Sequence, residues 1–148
     1  MSDHDQQITA ISPQRHRAAV TELVDEQRRK QGLAALLPSR QLTLSARAWA
    51  IVQRGNDGVL SHGNFARRAL RFPFVLAGRP KLRRTVGENL GFGTGEFSTP
   101  REIVAEWMRS PGHRANILRA WRYGAVWSSP TGADGVTVVH HLGRNNKP

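Results

Sequence analysis

Residues 122–142 read RYGAVWSSPTGADGVTVVHHL. Both ends of this stretch are rich in β-branched and aromatic side chains, and the middle, SPTGADG, consists of residues that favour tight turns. The pattern predicts two strands, 122–128 and 136–142, joined as an antiparallel hairpin. What precedes the hairpin is mostly helical. Thr99-Pro100-Arg101-Glu102 fits a capping box with proline at the first helical position. Ile103, Val104, Trp107 and Met108 then fall on one helical face, and Ser110-Pro111-Gly112 breaks the helix before a short one over 113–118.

Further upstream, Ser12-Pro13 opens a first helix over 13–31, with Val20, Leu23, Val24 and Gln27 at helical spacing and Gly32 as its stop. Leu42, Ala46, Trp49 and Val52 predict a second helix over 41–53, ended by GNDG. Asn64 is placed to cap a third over 65–71. Residues 72–86 have two prolines, a glycine and no clear period, which predicts an exposed loop with at most a short strand. GENLGFGTGEFSTP, from Gly87, reads as glycine-rich and turn-forming, with neither a Walker loop nor a dinucleotide fingerprint. Helices first and a hairpin last argue for an α+β domain, not a doubly wound sheet. Residues 1–11 are expected to form a flexible leader and 12–145 a single domain.

The chain has 148 residues and no cysteine, so disulfides, thiolate metal sites and cysteine nucleophiles are excluded. Its net charge is +11, from 22 Lys and Arg against 11 Asp and Glu, which favours polyanionic partners. From Arg67 to Arg84 there are seven basic residues and no acid. This tract lacks aromatics in the register that single-strand readers use, so nucleic acid is disfavoured and a solvated face is the ordinary reading. No apolar run approaches the ~20 residues of a membrane span. The opening MSDHDQQITAISP is too acidic and polar for a signal peptide.

Three points place an acid or imidazole in turn-rich context: His62 after Ser61, Glu88 in GEN, and His113 after Ser-Pro-Gly. Two histidines and a carboxylate suffice to hold zinc with a position open for water. Each also has a plain alternative. Glu88 could bond backbone amides, His113 could cap a short helix, and His62 could be a solvated turn residue. His140 and His141 alternate faces of a strand, so at most one of them reaches any single cleft. No G-x-S-x-G is present to support a nucleophile triad.

Taken in order, these segments resemble the CAP superfamily (cysteine-rich secretory, antigen 5 and pathogenesis-related proteins) in its bacterial SCP-domain branch. VTELVDEQRRKQGLAALLPSRQLTLSARAWA, LSHGNF, VGENLGFG, IVAEWMRSPGHRANIL, RYGAVW and VTVVHHLG carry the likeness over about residues 16–143. The resemblance implies a three-layer α-β-α sandwich with a central, mostly antiparallel sheet. It also implies a cleft with His62, Glu88 and His113 as candidate ligands of a divalent metal such as zinc. The family's fourth acid falls on Ser110; Glu106, just before Trp107, is a further candidate for the cleft, although it points about 100° away from the tryptophan direction. Asn89 and His140 complete the expected cleft residues.

The function expected from this likeness is a non-enzymatic, extracellular or cell-surface module that binds a lipid or other amphiphile. Phe65, Leu70, Phe72, Phe74, Val75 and Leu76, interleaved with Arg67, Arg68 and Arg71, would suit an anionic one. The alternatives are a metal-dependent hydrolase or protease using His62, Glu88 and His113, with Glu88 as general base, and a basic module binding anionic polymers at cell walls or nucleic acid; the expected partner is an anionic lipid or a cell-envelope polymer. A monomer is expected, and a cytoplasmic location stays open.

Overall fold

A computed structural model describes residues 2–56, 59–65, 68 and 84–145, with only the backbone of Arg84. Helix α1 spans Pro13–Lys30 and α2 spans Arg40–Arg54. Helices α3, Pro100–Arg109, and α4, Pro111–Ile117, follow a long strand. The strands are β1, Leu37–Pro38, β2, Arg84–Thr94, β3, Tyr123–Thr131, and β4, Gly135–Asn145. They form one sheet in the order β1-β3-β4-β2. Among the described residues only the short β1–β3 pair is parallel. The β3–β4 hairpin and the β2–β4 pair are antiparallel. The architecture is therefore α+β, with a mostly antiparallel sheet between helical layers.

Helices α1, α2 and α3 start where the sequence supplies a cap. Ser12 Oγ accepts from Arg15 N at 3.1 Å, Ser39 Oγ from Leu42 N at 3.2 Å, and Thr99 Oγ1 from Glu102 N at 3.1 Å. Such a cap contributes about 1 kcal/mol by satisfying an amide that the helix leaves free. Proline at the first position of α1 and α3 loses no hydrogen bond there.

The two-residue period of the strands sorts side chains between the layers. Val126, Val136 and Val138 meet Val20, Leu23 and Val24 of α1 and Ile103, Val104 and Trp107 of α3. Each such buried aliphatic contributes roughly 1.5–3 kcal/mol of transfer free energy. On the opposite face, Leu90 and Val139 meet Ala46 and Ala50 of α2. Those alanines let the helix backbone lie close to the sheet. The inward face of α2 is Leu42, Ala46, Ala50 and Gln53, so Val52, expected on that face, is instead 51% exposed.

Three further expectations need correction. Residues 84–94, expected to be an exposed loop and glycine-rich turns, are the 11-residue strand β2. The glycines here do not mark turns. A Cβ on Gly87 would stand 2.9 Å from the Trp121 ring, and one on Gly91 3.2 Å from the Trp107 indole nitrogen. One on Gly93 would collide with the Phe97 carbonyl. The glycines therefore make room for tryptophans and a returning backbone.

Against the expectation of a flexible leader, residues 2–11 are ordered on the domain. Ile8 lies in the core at 6% exposure, and its amide donates to Ser98 Oγ at 3.0 Å. Asp3 pairs with Arg15 and Asp5 with Arg101. Helix α4 begins at Pro111, two residues before the expected start. Of the expected helix over 65–71, Arg68 N donates to Asn64 O at 2.8 Å. Residues 66, 67 and 69–71 of that helix, and nearly all of the basic tract with Leu70, Phe72, Phe74, Val75 and Leu76, lie outside the described residues.

Candidate functional site

The site is built around one carboxylate. Glu88 sits on β2 directly opposite His141 on β4, and both face α2. The Glu88 side chain is 1% exposed. His141 Nε2 lies 2.7 Å from Glu88 Oε2, and its Nδ1 lies 2.7 Å from Ser45 Oγ of α2. Burial lowers the His141 pKa despite the attraction of Glu88. His141 Nε2 donates to the Glu88 carboxylate, while its Nδ1 shares a hydrogen bond with the Ser45 hydroxyl, which also contacts the Leu42 carbonyl at 3.0 Å.

Two more groups reach Glu88 from the segment after α2. His62 Nδ1 is 2.8 Å from Oε1. Arg68 makes a two-pronged contact, NH1 to Oε2 and NH2 to Oε1, each at 2.9 Å. Its guanidinium also lies over the Trp49 ring, 3.6 Å from the centroid, and donates to the His62 carbonyl. Trp49 Nε1 in turn holds the Ser61 carbonyl at 3.1 Å. The pairing is thus fixed both at the edge of the guanidinium and on its face. Burial alone would raise the Glu88 pKa, but hydrogen bonds from His141, Arg68 and His62 outweigh it and hold the carboxyl below its ordinary range.

His113 arrives from the other layer. Asn89, fully buried on β2, donates from Nδ2 to the His113 carbonyl at 3.1 Å. Asn116 donates to both the Glu88 carbonyl and Asn89 Oδ1. Arg28, 2% exposed, secures the far end of α4 by donating to the carbonyls of Ile117, Arg119 and Trp121. These contacts seat α4 against the β2 edge. His113 Nδ1 is buried without a partner among the described residues. Burial and the neighbouring His62 lower the His113 pKa.

Between these elements opens a cleft of about 460 Å³, with His62, Glu88, Ser110, His113, Asn116 and Arg119 in its wall and Phe65 and Val86 as apolar lining. His62, Glu88 and His113 therefore line one cleft, with Ser110 beside them. Asn89 does not line the cleft, but positions α4 from beneath. Glu106 points into solvent, paired with Arg109 at 2.6 Å. His140 faces the other layer, stacked on Trp107 at 5.6 Å between ring centroids. There it borders a separate cavity of about 490 Å³ beside α1, and burial pushes its pKa down to about 3. His141 is thus the histidine of that pair that reaches the site. Arg68, Ser45, Asn116 and Arg119 are further members. Arg68 stood in the sequence only as part of a basic tract, and nothing in its spacing tied it to Glu88.

A divalent metal is the group the family likeness implies, and the residues as arranged do not fit it. Both Glu88 oxygens are spent on Arg68 and two imidazoles, and the guanidinium lies where a cation would approach. Among the described residues no group of three or more histidines and acids is disposed to hold a metal ion.

The model of the cysteine-rich secretory protein family, CAP, matches residues 21–139, and the chain belongs to this family. It is 34% identical over 102 residues to the uncharacterized protein YkwD of Bacillus subtilis, covering 67% of this chain and 36% of that one. The chain thus spans little more than a third of that relative. Its fold resembles that of an outer surface protein from Borrelia burgdorferi, with a TM-score of 0.73 at 18% identity over 92% of this chain and 97% of that one. An extracellular SCP-domain protein of Bacillus anthracis gives a TM-score of 0.64 at 18% identity, over 89% of this chain and 43% of that one. Among the described residues no helix is long and apolar enough to cross a membrane.

Proposed function

We propose that the chain is a non-enzymatic ligand-binding domain acting outside the cell, and that its cleft takes the anionic head of an amphiphile. The state of Glu88 carries this reading. A general base needs a free lone pair and a pKa near the working pH. Glu88 offers neither, since four nitrogen donors hold its two oxygens and its pKa is lowered. This weighs against the hydrolase alternative.

With Glu88 neutralised by Arg68, the remaining polar wall is imidazole, amide, guanidinium and hydroxyl: His62, His113, Asn116, Arg119 and Ser110. That set favours a carboxylate or phosphate. Phe65 and Val86 supply apolar contact for the adjoining chain. Resemblance to an outer surface protein and an extracellular protein supports action at the cell exterior.

Calorimetric titration with monomeric dodecyl phosphate and dodecanoate tests the reading. Saturable binding is expected, and Arg119→Ala or His62→Ala should each weaken it roughly tenfold through loss of a charge-assisted hydrogen bond. Absence of binding, or binding indifferent to both changes, would reject the assignment.

A further inference from the structure

Among the described residues six large apolar side chains stand exposed, and five of them lie on or next to α2 in sequence. They are Leu37, Leu44, Ile51, Val52 and Val59, each between 44% and 69% exposed. Only Phe97 lies elsewhere. Single exposed apolar residues need no explanation, but a concentration on one element does.

The pattern along α2 is regular. Arg40, Leu44, Arg47, Ile51 and Arg54 recur at intervals of four and three, which at 100° per residue confines them to about 80° of arc. The buried residues Leu42, Ala46, Ala50 and Gln53 occupy a separate arc centred about 120° away. The helix therefore has two faces of different kinds. One packs on the sheet, and the other presents aliphatic side chains alternating with guanidiniums.

Helix α2 contains no acid. None of its three arginines pairs with a carboxylate among the described residues. Arg47 leans over the Trp127 ring at 5.4 Å, and Arg17 of α1 stacks on the same ring at 4.0 Å, adding another cation beside the stripe. None of these residues lines the Glu88 cleft.

We propose that this outward stripe of α2 is a docking face for an anionic lipid bilayer. A second copy of the chain does not suit it, because apposed stripes would bring six guanidiniums together with no acid between them. The stripe is convex, with charge of one sign, and so fits a broad partner of the opposite sign. A surface helix of this composition lies in the interfacial plane, its aliphatic side chains entering the headgroup boundary while the arginines reach the phosphates. Each cation held at an anionic surface strengthens association roughly fivefold.

Co-sedimentation with vesicles of phosphatidylglycerol mixed into phosphatidylcholine, against phosphatidylcholine alone, tests the assignment. The intact chain should partition onto the anionic vesicles and be released by salt. Leu44→Ser with Ile51→Ser should lower partitioning roughly tenfold, from the loss of two inserted aliphatic groups. Arg47→Ala with Arg54→Ala should lower it roughly twentyfold. Phe97→Ser, off the stripe, should leave it unchanged. These positions are exposed, so circular dichroism should show every variant folded.

Three results would overturn the proposal. One is no partitioning of the intact chain. Another is equal partitioning onto neutral vesicles. The last is displacement by soluble polyglutamate together with indifference to the Leu44 and Ile51 changes, which would mark an acidic polymer as the partner.

Discussion

Arg68 is the residue on which the character of the cleft turns. It neutralises a carboxylate that is otherwise surrounded by imidazoles, and its stacking on Trp49 keeps it there. Removing it leaves a buried carboxylate without its guanidinium partner, which costs on the order of 3–5 kcal/mol. Arg68→Met should accordingly lower the stability by about that amount, measured by denaturant unfolding. The same change frees lone pairs of Glu88 beside His62. The variant should therefore bind zinc by calorimetry where the intact chain does not. Equal zinc affinity in both proteins would refute the counter-ion account. Arg68→Lys should rescue only part of the loss, since an ammonium cannot span both carboxylate oxygens. Little of this was legible in the sequence. His62, Glu88 and His113 could be singled out by motif, but Arg68 carries no local mark that separates it from Arg67 or Arg71.

At the scale of elements, β2 departs furthest from its local sequence signals. Its glycines resemble turn punctuation, yet Gly87, Gly91 and Gly93 each permit a close approach that a side chain would block. A Cβ at Gly93 would collide with the Phe97 carbonyl oxygen, whereas one at Gly112 meets nothing within 4 Å. Gly93→Ala should thus destabilise the chain by roughly 2–3 kcal/mol, the cost of overpacking against backbone that cannot yield. Gly112→Ala, inside α4, should be neutral or stabilising by up to about 1 kcal/mol from helix propensity. Similar thermal shifts for the two variants would refute the packing explanation. The helices are easier to read, because caps and apolar periodicity are local. Even there the phase of α2 is only partly legible, since Trp49 and Val52 fit the period as well as Ala50 and Gln53 do.

For the molecule as a whole, buried histidines govern the response to acid. His16 bridges α1 to Ser128 and the Ser98 carbonyl, and burial lowers its pKa. His140 and His141 are lowered for the same cause. In the unfolded chain these groups protonate near their ordinary value of 6.5, while the folded state resists. The unfolded state thus binds more protons below that pH, and stability falls as pH drops. Each such histidine contributes a slope of up to about 1.4 kcal/mol per pH unit, continuing toward about 3 for His140. Glu88 acts in the same direction at lower pH, because its lowered pKa stabilises the fold only while it stays ionised. The unfolding temperature should be flat above neutrality and decline steadily below about pH 6.5. His140→Gln should flatten that decline, and a profile unaltered by the change would exclude His140 as a source.

The sequence by itself determined the starts of α1, α2 and α3 to within a residue, the terminal hairpin, the α+β class and the family likeness, because caps, turns and apolar periods act over a few neighbouring residues. It also marked His62, Glu88 and His113. Tertiary structure alone decided that His141 and not His140 meets Glu88, since strand register assigns faces. It decided as well that Arg68 occupies the approach to that acid, and that Leu44 and Ile51 stand outside the core. These outcomes depend on contacts between segments far apart in the chain, which no local propensity encodes.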